Sequence, residues 1–291
     1  MRGGWTKMDI QWFPGHMAKA RRVIEEELRL VDVVIEIVDA RIPESSRNPL
    51  LGKIIGNKRP RLIILNKNDL ADPNRTQYWL NKYTTNKDLA ISVNSTHGRK
   101  KLIQTVVDAL YDLTKEKRQR FIEKGATNVP IRVMVVGIPN VGKSTFINML
   151  LGKGVTTTGN KPGVTKGKQW VRLTDDIELL DTPGMLWHKF DDQEVGYKLA
   201  MTGAISDEVF VWEEVAFRFL KIVQEKYPGF IAQRYQLNIE ETEDMEIYEL
   251  MQTIGRKRGA IVRGNKVDDL KTAHIILKDF RENKIGRITL E

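Results

Sequence analysis

The segment GIPNVGKST, residues 137–145, sets Gly137, Gly142, Lys143 and Ser144 in the spacing GxxxxGK[ST], directly after the apolar run Ile131–Val136. Glycines at these places let successive backbone N–H groups turn inward around a phosphate. A helix opening there adds donors and a favourable dipole. Lys143 then reaches the β- and γ-phosphates of a nucleoside triphosphate, and the Ser144 hydroxyl is an oxygen ligand for Mg²⁺. Asn140, Val141 and Thr145 complete the loop around the nucleotide. The bland reading is a glycine turn beside an exposed lysine; the strand before the motif and the helix expected after it argue against that.

Asp181-Thr182-Pro183-Gly184 ends the apolar run IELLD. A carboxylate there holds Mg²⁺ through water, and the Gly184 N–H senses a γ-phosphate. Between the two motifs, Thr165 in KPGVTKG is the expected switch threonine for Mg²⁺ and catalysis, with Thr156–Thr158 as competitors. The stretch RLIILNKNDL, residues 61–70, supplies base reading. Asp69 presents two acceptors to the ring N–H and exocyclic amine of guanine, a donor pair that adenine lacks. Asn66 braces this loop, the Lys67 stem covers the base plane, and Asn68 lies between them and Asp69. Downstream, LAISVNS brings Asn94 and Ser95, whose backbone N–H groups suit the guanine carbonyl. The alternative is an ordinary polar turn after a strand. Taken together the parts bind GTP and GDP, yet the base-reading half precedes the phosphate-reading half.

The positioning elements follow. Val31–Val38, Arg61–Leu65, Leu89–Val93 and Ile131–Val136 are nearly continuous in Val, Ile and Leu, as in strands buried on both faces of a parallel sheet. Helix-length polar segments separate them, which gives an α/β layered fold. Two further strand candidates are 168–173 and 177–181. A parallel sheet tolerates a circularly permuted order when the former chain ends lie close enough for a linker. Residues 115–129, KEKRQRFIEKGATNV, read as a helix end plus that linker. The expected organisation is therefore a GTPase domain, 1–205, and a small mostly helical domain, 206–291. Within the first lie an N-terminal arm and helix (1–30), a guanine-reading half (31–114), the linker, and a phosphate-reading half (130–205). In the arm helix Ala20, Val23, Ile24 and Leu28 form the inner face. Ser206 is the expected cap of a helix over Val209–Val223, and a second helix covers about 268–282.

Among the 291 residues there is no cysteine, which excludes disulfides and thiolate zinc sites and is compatible with the cytoplasm. No apolar run approaches the ~20 residues of a membrane helix, and the N-terminus has no apolar signal core. The net charge of +9 favours a polyanionic partner, most simply nucleic acid, over mere solubility. Residues 250–291 hold ten Lys and Arg (Arg256, Lys257, Arg258, Arg263, Lys266, Lys271, Lys278, Arg281, Lys284, Arg287) against five acids, leaving +5. At about 100° per residue, Lys271, His274, Lys278 and Arg281 share one helical stripe, with Leu270, Ala273, Leu277 and Phe280 turned to a core. Such a stripe suits phosphate backbones; a solvated helix face is the alternative. Lys19, Arg21 and Arg22 form a second candidate RNA contact.

The permuted order, with QWFPGHMAKARR, VDARIPESSRNP, LNKNDL, GIPNVGKST, KPGVTKGKQW and LLDTPGMLW, resembles the circularly permuted ribosome-assembly GTPases over nearly the whole length. The resemblance implies a cytoplasmic GTP hydrolase that acts late in large-subunit assembly and binds ribosomal RNA, its C-terminal helical domain resembling RNA-binding modules; a monomer is the expected state, though the sequence does not fix the oligomeric state. Met185 stands directly after DTPG, where many GTPases carry a water-orienting glutamine, so slow intrinsic hydrolysis is expected. The resemblance points to His16 as the group that helps; its bland alternative is packing beside Trp12 and Phe13. Asn140 at its loop position implies a K⁺ ligand, with a loop-stabilising amide as the alternative. From residues alone, a GTPase regulating a protein partner without RNA and a nucleotide-binding scaffold that hydrolyses nothing useful both stay open.

Overall fold

The computed structural model of the chain describes residues 22, 24–127, 129–152, 170–181 and 192–291. They divide into two compact units, one over residues 22–181 together with Glu291 and one over 192–290.

The first unit is an α/β layer built on six described strands: β1 (Val33–Asp39), β2 (Arg61–Asn66), β3 (Leu89–Val93), β4 (Ile131–Gly137), β5 (Trp170–Thr174) and β6 (Ile177–Asp181). Their order across the sheet is β3-β2-β1-β4-β6-β5. All neighbours are parallel except the edge pair β5–β6. Every residue of β1 is buried, as expected for a central strand covered on both faces. The helices are α1 (Pro49–Ile55), α2 (Pro73–Tyr83), α3 (Arg99–Glu123) and α4 (Lys143–Leu151). Asn48 and Asp72 cap α1 and α2 by accepting backbone N–H groups, each followed by proline at the first helical position. Ile24 and Leu28 pack with Val34, Leu51, Ile55 and Val136 on one face, as the sequence predicts for these two; Ala20 and Val23 lie outside the described residues. On another cluster, Val38, Ile63 and Leu65 meet Trp79 and Tyr83.

The predicted linker is mostly helix. Lys, Glu, Arg and Gln favour helix, and α3 runs on to Glu123, stopping before Gly125 in the left-handed region (φ 84°). Counted from β4, the strands read 6-5-4-1-3-2 across the sheet. The phosphate loop then follows the first strand in this order and the NKND loop the fifth.

The second unit contains α5 (Gln193–Thr202), α6 (Trp212–Lys226), α7 (Phe230–Tyr235), α8 (Ile239–Asp244), α9 (Ile247–Lys257), the hairpin β7 (Ile261–Val262) with β8 (Lys266–Val267), and α10 (Asp269–Arg281). Phe219 of α6 meets Phe280 of α10 with ring centres 4.6 Å apart. A Cβ on Gly255 would fall 2.3 Å from Val267 Cγ1, so only glycine lets the hairpin close against α9. Helix α5 packs here too: Tyr197 donates to Glu214, and Arg281 donates to the Met201 and Ala200 carbonyls at 3.1 and 2.7 Å. A division that keeps this packing lies before residue 192 rather than at 205/206.

Three expectations change in this unit. Ser206 caps no helix; its hydroxyl accepts from Glu208 N in a turn, and α6 starts only at Trp212. Leu270 is 47% exposed, because Thr272 and Ala273 take the inward places in the first turns of α10. Arg281 leaves the basic stripe, since its guanidinium is spent on the end of α5 and on Asp207.

Candidate nucleotide-binding site

The C-terminal ends of β1, β2, β3, β4 and β6 all open on one edge of the sheet, where open α/β folds bind ligands. Pairing sets Asp39 beside Asn66, Asn66 beside Val93, Ile37 beside Gly137 and Val135 beside Asp181. Loops distant in sequence therefore converge there.

The phosphate loop turns from β4 into α4. Ile138 and Val141 are buried and anchor it. Asn140 and Gly142 are both left-handed, at φ 62° and 94°. A Cβ on Gly142 would sit 2.4 Å from Asn66 Nδ2, so conformation and space both require glycine. Lys143 opens α4 and is only 7% exposed, Ser144 is half-buried, and Thr145 is exposed. This first turn offers backbone N–H groups, a cation and a hydroxyl in succession.

The NKND loop is tied to the phosphate loop. Asn66 is buried; its Nδ2 donates to the Val141 carbonyl at 2.8 Å, and its Oδ1 accepts from Ser95 Oγ at 2.7 Å. One amide thus links both halves of the nucleotide site with the loop after β3. Lys67, left-handed at φ 60°, sends Nζ to the Asn140 carbonyl at 2.9 Å. Asn68 donates to Ser92 Oγ at 3.4 Å, while Asp69 is exposed beyond it. Asn94 Oδ1 accepts from Thr96 N at 2.8 Å in an Asx turn that shapes the last loop. The bracing expected of Asn66 is a specific pair of hydrogen bonds, and Ser95 joins by its hydroxyl.

Sequence reading missed one group. Asp39 and Arg41, both buried, form a bidentate pair at 2.9 and 2.7 Å, and Lys67 Nζ also donates to Asp39 at 2.9 Å. Burial alone would raise the Asp39 carboxyl, but Arg41 and Lys67 override it and hold it well below the usual carboxylate range. Burial pulls the Lys67 ammonium below its ordinary value, with Asp39 opposing. The signal was the pair of opposite charges, Asp39 and Arg41, closing an apolar strand in IVDAR.

His16, Lys19, Arg21, Thr165 and Gly184 lie outside the described residues, as does the side chain of Asp181. In the second unit Arg256, Lys257, Arg258, Arg263, Lys271 and Lys278 are all exposed, as is Arg22 in the first. His274 stacks on Trp212 at 3.8 Å between ring centres. No helix among the described residues is long and apolar enough to cross a membrane.

A parallel sheet, a phosphate loop opening a helix, and an NKND loop hydrogen-bonded to it from a strand earlier in the chain define a circularly permuted P-loop GTPase. A family model described as 50S ribosome-binding GTPase matches residues 132–262. Ribosome biogenesis GTPase A of Priestia megaterium is 49% identical over 98% of this chain and 97% of that protein. The protein of that name from Bacillus cereus is 47% identical over 98% of this chain and 94% of its own. Among solved structures, GNP-bound YlqF from Thermotoga maritima is 26% identical, with a TM-score of 0.64 over 94% of this chain and 97% of that one. The chain belongs to the ribosome biogenesis GTPase A family and hydrolyses GTP.

Proposed function

We propose that the chain is a cytoplasmic assembly factor for the large ribosomal subunit that binds ribosomal RNA or precursor particles with GTP and leaves on hydrolysis. The interlocked loops carry the nucleotide half of this reading: Asn66 and Lys67 reach the carbonyls of Val141 and Asn140. Asp69 reads guanine, Lys143 neutralises the β- and γ-phosphates, and the α4 N-terminus holds them. Ser144, Thr165 and Asp181 are the residues that would hold Mg²⁺. The half-buried Ser144 hydroxyl beside Lys143 fits an oxygen-seeking ion, and Mg²⁺ when bound supplies charge neutralisation at the phosphates.

The ribosomal half is supported by the family and by the net charge of +9. The decisive experiment is co-sedimentation with large subunits and their precursors, comparing a GTP analogue with GDP. Retention only with the analogue supports the reading. Equal, salt-insensitive sedimentation in both states would favour a GTPase acting on a protein partner.

Two further outcomes are expected. Lys271→Glu with Lys278→Glu should weaken particle binding about tenfold at low salt and flatten the salt slope by about two phosphate contacts. Their exposure, and the weak 3.9 Å Lys278–Glu282 pair, imply an unchanged melting temperature. His16→Ala should leave GTP affinity unaltered and cut ribosome-stimulated turnover about 10²-fold, because it would act only on the attacking water. Normal stimulation in single-turnover assays would assign His16 to packing.

A further inference from the structure

Asp39 is the last residue of the central strand, and its register partner on β2 is Asn66. A charge buried there needs a reason, since an isolated buried carboxylate is strongly disfavoured. Its oxygens are fully engaged. They accept from Arg41 N at 3.0 Å, from Arg41 Nε and Nη2 at 2.9 and 2.7 Å, and from Lys67 Nζ at 2.9 Å. The Asp39 backbone N–H donates to Ser46 Oγ at 3.0 Å, which fixes the strand end from the following loop. Arg41 is as buried as its partner, so the pair is preassembled and rigid.

Lys67 is the exception within this group. Its ammonium has two acceptors on two different elements, the Asp39 carboxylate and the Asn140 carbonyl, each at 2.9 Å. Without Asp39 a long, flexible lysine stem would have only one neutral carbonyl to hold it. With Asp39 the ammonium is pinned by a charged partner that cannot itself move. Neither Asp39 nor Arg41 comes from a loop assigned to phosphate or base.

We infer that Asp39, clamped by Arg41, is a positioning residue for nucleotide binding: it fixes Lys67 so that the ammonium locks the NKND loop to the phosphate loop at Asn140. The end of a third strand thereby sets the spacing between base reading and phosphate reading. The inference rests on the nucleotide site proposed above. It predicts that the charge of Asp39 matters to affinity only through Lys67.

That dependence is measurable as a double-mutant cycle on the full chain, with a fluorescent GDP analogue as probe. Asp39→Asn should weaken GDP binding about tenfold, within the range of coupling between directly contacting groups. Lys67→Met should weaken it at least as much. The double variant should bind no more weakly than Lys67→Met alone. Losses that simply multiply would overturn the inference, because a general structural role for Asp39 would not vanish when Lys67 is gone. Base choice gives a second readout. Asp39→Asn should keep the parental ratio of GDP to XDP affinity, whereas Asp69→Asn should change it.

Asp39→Asn leaves the buried Arg41 and the half-buried Lys67 without their counter-charge, which threatens the fold. Asp39→Asn with Arg41→Met removes both members of the clamp and leaves only the half-buried Lys67 charged. This variant should also bind GDP about tenfold more weakly while melting as one cooperative unit. Parental affinity in a folded variant of either kind would overturn the inference. Failure of the nucleotide site itself looks different: Lys143→Ala, Lys67→Met and Asp69→Asn would then all bind GDP as the parent does.

Discussion

Replacing Lys143 with alanine is expected to lower GTP turnover by about 10²–10³-fold, the scale of losing one preorganised charge at a transferring phosphoryl group. The residue stands in the first turn of α4, only 7% exposed, between a left-handed Gly142 and the Ser144 hydroxyl. In the proposed site a triphosphate at the mouth of the loop places its charge against this lysine, as a charge-assisted contact. In the transition state negative charge spreads over the γ-phosphoryl oxygens, so the lysine contributes more there than in the ground state. The loss should therefore appear mainly in single-turnover rate, with a smaller fall in affinity. The stem packs no large part of the core, whose weight on α4 is carried by Phe146, Ile147 and Leu150. Melting by circular dichroism should stay within a few degrees of the parent. Parental turnover in a folded Lys143→Ala protein would remove the loop from catalysis.

The sheet was legible in the sequence because its strands are buried on both faces and read as unbroken apolar runs. Arg61–Leu65 and Leu89–Val93 match β2 and β3 nearly residue for residue. Even the permuted order was legible, since each loop carries its own chemical signature independent of its place in the chain. Charged residues inside the layer were less so. Glu36 sits in the middle of β1 at 2% exposure, paired with Arg47 at 2.8 Å. No local pattern announces an ion pair whose partners meet only after folding. The Asp39–Arg41–Lys67 group is the same case, with Lys67 arriving from a neighbouring strand end. In the second unit, α8 and the short hairpin have too few residues to show a period. Arg281 looked like part of an exposed stripe because helical spacing alone cannot foresee that the end of α5 lies within its reach. The hydrogen bond from Asn66 to the phosphate loop, by contrast, was foreseeable in kind though not in partner.

Asp69→Asn should weaken GTP and GDP binding about 10³-fold and shift preference toward xanthine nucleotides. The carboxylate is expected to accept from both the ring N–H and the exocyclic amine of guanine, and charge-assisted hydrogen bonds of this kind contribute about 1.5–3 kcal/mol each. An amide offers one acceptor and turns a donor toward the remaining guanine donor, so one bond is lost and a repulsive contact replaces it. Xanthine has a carbonyl where guanine has the amine, and the new Nδ2 suits it. The selectivity should invert rather than merely fade, since rejecting a mismatched polar pair is stronger than losing an apolar contact. Asp69 is exposed, so its replacement leaves no buried group unpaired and should not alter melting. Its neighbours stay in place: Asn66 remains bonded to Val141 and Ser95, and Lys67 to Asp39 and Asn140. The variant thus tests base recognition separately from loop architecture. Competition of fluorescent GDP by GTP, ITP and XTP reads it directly. ITP, which lacks the exocyclic amine, should bind the parent more weakly than GTP and should lose less than GTP on substitution. Equal affinity of parent and variant for GTP would place the guanine contact elsewhere and leave the NKND loop with its bracing role alone.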